Sequence, residues 1–182
     1  MSHQPPTVGE VLAGVDWDRW SVILLKPDCL RRGLADEVLA RIDAVVPIHG
    51  RREVTVADWQ IHVHYWDLLV GADWLDRDIP ACLRRTYVGQ QVTVALAHGP
   101  AATSTPRLTR QLLGHFDPSQ AAKGTIRGDL GTDTLTAAEA EGRLVENLVH
   151  SSDDALATCR DFGTWYGANQ HHLLTPATRT TN

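Results

Sequence analysis

Ser21 to Leu25, SVILL, narrows the possible folds of this chain more than any other segment. Its shortness and β-branched content predict a buried strand rather than a helix. The end is abrupt, because Lys26-Pro27-Asp28 follows at once and Pro27 cannot continue the ladder. A buried strand that stops on charged residues holds them on a rigid scaffold. Two further strands are expected: Gln91 to Ala97, which alternates, and Leu144 to Val149, an apolar run ending at His150.

The remaining elements fall between these strands. Leu34, Val38, Leu39 and Ile42 recur at helical spacing after Gly33. A further strand is expected within Val45 to Val56, with Arg51, Arg52 and Glu53 on its exposed part. Asp58 is placed to cap a helix through Tyr65 towards Leu69, and another helix covers Pro80 to Tyr87. Thr105-Pro106 opens a helix with Leu108, Leu112 and Leu113 on one face, closed by Gly114. Phe116 to Leu130, with Pro118, Gly124 and Gly128, reads as a loop. Ser152 or Asp153 caps a last helix through Leu156, Phe162 and Trp165. This order predicts an α+β sandwich, with helices over a small sheet.

Length and charge bound the function. At 182 residues and 20.0 kDa, one domain with one core is expected. Residues 1–20 read as an N-terminal extension, 21–167 as the domain and 168–182 as a tail. Met1 to Gly9 and Leu174 to Asn182 should bury little. The net charge of −5 offers no global field for nucleic acid or an anionic membrane, so a polyanion must meet a local cluster of Arg and Lys. No run approaches the length of a membrane span. Cys29, Cys82 and Cys159 lack metal or disulfide spacing, and a reducing, cytoplasmic setting is expected.

Three segments carry the chemistry: Lys26-Pro27-Asp28, Lys123 to Asp129 (KGTIRGD), and Asn147 to Asp153 (NLVHSSD). His150 ends an apolar run, and an imidazole with a pKa near ~6.5 can be a neutral nucleophile that holds a phosphoryl group. A helix starting near Ser152 would offer N–H donors to an anion there. One histidine among nine is more often a surface or core residue. Lys123, Arg127 and two glycines suit an anion, but they equally suit a solvated turn with an Arg–Asp pair. Lys26 alone is ordinarily a solvated charge.

In combination these segments decide more. The order KPD–RGL, then HY, then an Arg-bearing helix, then GTIRGD, then N-x-x-H-x-S-D resembles the nucleoside diphosphate kinase family, from about Ser21 to about Tyr166. The resemblance implies a ferredoxin-like fold, a four-stranded antiparallel sheet covered by helices. It implies that His150 takes the γ-phosphoryl of a nucleoside triphosphate and passes it to a diphosphate by a ping-pong route. Lys26, Tyr65, Arg110 and Arg127 match the groups around the nucleotide phosphates and sugar, Asn147 the asparagine holding the ribose, and Ser152 the hydroxyl near the nucleophile. Asp161 lies where the family has a glutamate orienting the imidazole. Asp153 matches an acidic residue near the site, reaching Mg²⁺ through water, with the ion held by nucleotide phosphates. A homo-oligomer is implied as well.

The chain also departs from the pattern. Phe116 stands at the position of a phosphate-contacting threonine, Cys29 replaces the glycine of KPDG, and Ser151 replaces the glycine of HGSD. Asp161 is one methylene shorter than glutamate. Leu69 to Pro80 and Gly131 to Arg143 are longer than the family's segments, and Trp74 is a candidate base-stacking residue. Competing with an ordinary kinase are a specialised phosphotransferase with another acceptor, a nucleotide-binding homologue of weak activity, and a structural or regulatory subunit. Intact Lys26, Arg110, Arg127, Asn147 and His150 favour catalysis.

Overall fold

Burial on both faces explains the unbroken apolar run at Ser21 to Leu25. Trp20, Val22 and Leu24 belong to one core cluster, while Ile23 and Leu25 belong to another on the opposite side. A strand sandwiched between two helical layers has no solvent face, so alternation disappears from its sequence. Each fully buried Val, Leu or Ile contributes about 1.5–3 kcal/mol.

The computed structural model describes residues 7–71 and 78–174. In chain order the elements are α1 (Val8–Ala13), β1 (Trp20–Leu25), α2 (Pro27–Arg31), α3 (Ala35–Asp43), β2 (Ile48–Thr55), α4 (Asp58–His64), α5 (Trp66–Gly71), α6 (Ile79–Tyr87), β3 (Gln91–His98), α7 (Thr105–Leu113), α8 (Ile126–Leu130), α9 (Leu135–Ala140), β4 (Val149–Ser151) and α10 (Ala155–Trp165). The strands form one antiparallel sheet in the order β2-β3-β1-β4. Side chains of α4, α6 and α10 pack on one face; those of α3, α7 and α8 pack on the other. The expected ferredoxin-like α+β architecture is therefore present.

Several local expectations are revised. Pro27 stops β1 but also starts α2, where its missing N–H costs nothing. Ala57, not Asp58, is the N-cap of α4, with its N–H donated to Gln60 Oε1 at 2.9 Å. The helix through Tyr65 divides there into α4 and α5. Asp154, rather than Ser152 or Asp153, caps α10 and accepts the Ala157 N–H at 2.9 Å. That carboxylate already occupies the helix N-terminus expected to serve a bound anion.

The supposed loop at 116–130 contains α8, capped by Thr125. Its Gly128 is not a breaker: a Cβ there would lie 2.0 Å from the Ala122 carbonyl oxygen. The segment needs glycine for close approach, not for flexibility. The leader is tighter than expected from Val8 on, because Thr7 and Glu10 form a capping box at α1. Leu12 and Leu174 also join the core cluster of α10. Trp74 and residues 175–182 lie outside the described residues.

β4 differs most. It occupies only Val149–Ser151 instead of Leu144 to Val149. Leu148 adopts φ 71°, which breaks the strand geometry immediately before it.

Candidate active site

The β1 end and the β4 start lie side by side, with Leu24 opposite His150 and Leu25 opposite Val149. The Lys26 N–H donates to the Leu148 carbonyl at 2.8 Å, and the Val149 N–H donates to the Asn147 carbonyl at 2.8 Å. The second bond spans three residues, making a γ-turn with Leu148 at its centre. Positive φ at a buried leucine costs about 1–3 kcal/mol and must be enforced by its surroundings. Asp28 supplies part of that enforcement, accepting the Leu148 N–H on Oδ2 at 2.9 Å. Sequence reasoning quoted Asp28 within KPD but assigned it no role; the only signal was its place in that run.

A cleft of about 380 Å³ opens over this turn, lined by Lys26, Tyr65, Arg110, Phe116, Arg127, Asn147 and His150 among others. Lys26, Tyr65, Arg110, Phe116, Arg127 and Asn147, all expected around the nucleotide, thus meet in one place. Buried Lys26 donates through Nζ to the Val145 carbonyl at 2.7 Å and to Asn147 Oδ1 at 2.8 Å. Burial lowers its pKa to about 8, against the opposing pull of Asp28. Arg127 donates to the carbonyls of Asn147 (3.2 Å), Gly114 (2.9 Å) and Val149 (2.6 Å). Burial is also the main reason its pKa falls to about 10. Three of its five donors are engaged, which fixes the fork and leaves two N–H groups for a ligand.

Asn147 is tied at both ends, since its Nδ2 donates to the Phe116 carbonyl at 2.7 Å. Arg110 is half-exposed and pairs with Asp153. The Tyr65 and Tyr87 hydroxyls share a hydrogen bond of 2.6 Å, and the Tyr65 ring lies 5.3 Å from that of His150. The Phe116 ring is 49% exposed and packs on His115 at 4.7 Å. It edges the cleft without filling it. Cys29 and Ser151 have no positive φ, so their replacement of glycine strains neither backbone.

His150 is neutral at ordinary pH. Burial holds its pKa well below the usual value, assisted by His64, Arg127, Lys26 and Arg110. Behind it, buried Ser152 donates to Asp161 Oδ2 at 2.8 Å, and the Asp161 Oδ1 lies 2.9 Å from Nδ1 of His64. Ser152 and Asp161 therefore stand behind His150 rather than in the cleft. His64 is the second residue that sequence reasoning left without a role; the adjacent His-Tyr pair was its only trace. Lys123 does not line the cleft, and Asp129 pairs with Arg41 instead of Arg127.

The inserted segment 131–143 folds in part as α9 and walls the cleft through Leu135 and Glu139. Arg143 and Asp133 hold its ends together, with one bond of 2.9 Å.

Three buried or half-buried cations surround a neutral imidazole on a ferredoxin-like sheet, an arrangement whose charge suits an anionic ligand. The chain belongs to the nucleoside diphosphate kinase family, whose family model matches residues 20–171, and it is a phosphotransferase of that type. A nucleoside diphosphate kinase of Nocardia farcinica is 34% identical over 148 residues, 80% of this chain and 93% of the relative. One from Streptococcus pneumoniae is 31% identical over 147 residues, 79% and 96% of the two chains. The fold matches that of the Borrelia burgdorferi enzyme solved with vanadate and ADP, with TM-score 0.77, 21% identity and coverage of 88% and 92%. A Halobacterium salinarum nucleoside diphosphate kinase in complex with CDP gives TM-score 0.63 at 26% identity, covering 81% and 86%.

Proposed function

We propose that His150 carries the phosphoryl group between a nucleoside triphosphate and a nucleoside diphosphate. The observation that carries this reading is the neutral imidazole at the base of a cleft whose charged neighbours are Lys26, Arg110 and Arg127. Its lone pair attacks the γ-phosphorus, the bond to the bridging oxygen breaks, and its electron pair leaves with the diphosphate. The reverse step uses the same cleft with a second diphosphate, giving ping-pong kinetics.

The other residues take supporting roles. Lys26 and Arg127 are held by backbone carbonyls and are prearranged for phosphate oxygens, so little reorganisation accompanies the transfer. Arg110 supplies a third cation from the rim. Tyr65 flanks the imidazole, and Asn147 braces Lys26 against the Phe116 backbone at the cleft wall, where it would serve the sugar. Ser152 and Asp161 fix the rear of the site.

The residues present fit Mg²⁺ arriving on the nucleotide. The charged side chains that face the cleft are chiefly cations, and Asp153, half-exposed and paired with Arg110, would meet the ion only through water. Bound with the nucleotide, Mg²⁺ would offset part of the phosphate charge during transfer. Exposed Trp59, Val63, Trp66 and Val70 recur at helical spacing on α4 and α5 and support a homo-oligomer. A cytoplasmic setting is supported by three free cysteines, and among the described residues no helix is long and apolar enough to cross a membrane.

Incubation with γ-labelled ATP and Mg²⁺ tests the central step. The protein should take up label that is lost in mild acid and kept in base, and His150→Gln should take up none. Normal labelling of that variant would sink the proposal.

A further inference from the structure

The carboxylate behind the nucleophile is turned towards a different ring. Asp161 lies on α10, and its hydrogen bonds run to His64 Nδ1 at 2.9 Å, Ser152 Oγ at 2.8 Å and Arg160 Nε at 3.4 Å. His64, at the end of α4, packs edge-on against His150, with centroids 4.8 Å apart and planes at 81°. One donor atom from each of His64, His150 and Asp161 falls within 4.8 Å of the other two.

Two neighbours compete for the same nitrogen of His64. The Trp165 indole N–H approaches Nδ1 at 3.1 Å, and the Asp161 carboxylate approaches it at 2.9 Å. The carboxylate contact is charge-assisted and roughly twice as strong as the neutral one. It therefore sets the tautomer, with Nδ1–H donating to Asp161. Nε2 then carries a lone pair, and that atom is buried without a hydrogen-bond partner in this structure. A buried, unpaired acceptor is rarely left idle in a folded protein. This one belongs to a ring in contact with His150.

We propose that His64 is the positioning residue of the nucleophile: Asp161 orients His64, and His64 Nε2 receives the N–H of His150 as the phosphoryl group transfers. The inference rests on His150 being the phosphoryl carrier. In the forward step the attacking nitrogen forms the N–P bond and the bridging P–O bond breaks, with its electron pair leaving on the diphosphate. The proton on the other ring nitrogen stays on His150. The positive charge that develops there is shared along the hydrogen bond with His64 and, beyond it, the Asp161 carboxylate. Two imidazoles thereby span the distance that the short side chain of Asp161 leaves. The edge-to-face contact is the resting arrangement; catalytic hydrogen bonds commonly tighten only when substrate is bound.

The chain Asp161–His64–His150 makes a prediction that simple packing does not. His64→Leu keeps an apolar side chain of similar bulk but removes both nitrogens. Its single-turnover phosphorylation by γ-labelled ATP should be slower by about tenfold to a hundredfold, with nucleotide affinity within about threefold of wild type. Asp161→Glu adds the missing methylene and brings a carboxylate to His150 directly. In that background His64→Leu should cost no more than about threefold, a rescue that a purely structural role for His64 would not give. His64→Phe, which fills the space without a nitrogen, provides the same comparison if the leucine variant does not fold. Wild-type labelling in His64→Leu would overturn the inference, and so would an equal loss in the Asp161→Glu background. A label abolished by His150→Gln but indifferent to His64 would overturn this inference alone. No label on the wild type would overturn both readings.

Discussion

The two ends of the cleft are built on different principles. The closed end consists of Lys26, Arg127, Asn147 and His150, which are buried or half-buried; the first three are held by the carbonyls of Gly114, Phe116, Val145, Asn147 and Val149. The open end consists of Leu68, Ile79, Leu135, Glu139 and Leu144, drawn from α5, α6 and the segment that carries α9. An ion pair between Asp133 and Arg143 fastens that segment. Fixed dipoles at the closed end suit a step that must stabilise moving charge; an apolar wall suits a base whose identity varies. The difference predicts that damage to the closed end slows chemistry, whereas damage to the open end alters binding.

The largest effect should follow from Arg127→Ala. Losing the guanidinium removes a cation from the phosphates and leaves the Asn147, Gly114 and Val149 carbonyls short of a donor. Phosphorylation should slow by about 10²–10³-fold, equivalent to ~3–4 kcal/mol, and thermal stability should drop by about 2–4 kcal/mol. Arg110→Ala should cost less on both counts, because Arg110 is half-exposed and its pair with Asp153 is screened. Equal losses in the two variants would erase the distinction between the interior and the rim.

Much of the closed end was legible in the sequence. KPD follows β1, NLVHSSD spans β4 and GTIRGD caps and opens α8, and the structure brings Lys26, Arg127 and His150 into one cleft. Arg127 was readable as a cation, but not as a brace for three carbonyls, since those bonds depend on long-range placement. Leu148 gave no warning at all: nothing in an apolar run announces a positive φ, because tertiary contacts such as the Asp28 bond impose it. Asp161 was recognised as short, yet its partner His64 lies 97 positions away, beyond the reach of any local pattern. The open end was least legible, because Thr, Ala and Glu in 131–143 fit a loop or a short helix equally well. Only the Thr134 cap, which accepts the Ala137 N–H at 3.0 Å, resolves α9.

Phe116 sits where the two ends meet and should give the next effect. Its ring is half-exposed, so the cleft lacks a hydroxyl donor but is not blocked. Phe116→Thr should raise nucleoside diphosphate kinase turnover by about tenfold, the ~1.5 kcal/mol of a hydrogen bond to a charged phosphate. Unchanged turnover would remove Phe116 from the phosphate path.

The pH dependence should divide in the same way. His150 has a pKa below the ordinary value, so kcat/KM should stay level as pH falls through ~6.5, where an unperturbed histidine would be half protonated. On the alkaline side, Lys26 in the free enzyme loses its charge near pH 8, and kcat/KM should decline above that point. The stability signs follow by linkage. Both groups bind fewer protons folded than unfolded between their folded and ordinary pKa values, so each makes stability rise with pH across its own window. An acid limb already present at pH 6.5 would mean that His150 is less shielded than its surroundings imply.

The smallest effect is expected at the open end, from Asp133→Asn. Asp133 accepts two bonds from Arg143 and one from the Glu146 N–H, and the Arg143 guanidinium holds its pKa well below the usual carboxylate range. A depressed folded pKa gives stability that is present above the ordinary carboxylate value and is lost as pH falls from there through the depressed folded value. Arg143 is partly exposed, with 29% of its side chain accessible, so the contribution must be discounted for screening. Asparagine keeps an acceptor for Glu146 and removes only the charge. Stability at neutral pH should fall by about 1 kcal/mol, and the loss should vanish in acid, where the wild-type carboxyl is itself protonated. If α9 serves binding alone, nucleotide KM should rise about twofold to fivefold while kcat stays within twofold. A fall in kcat matching the rise in KM would show that the wall of the cleft is coupled to the γ-turn below it, and the two ends would have to be treated as one device.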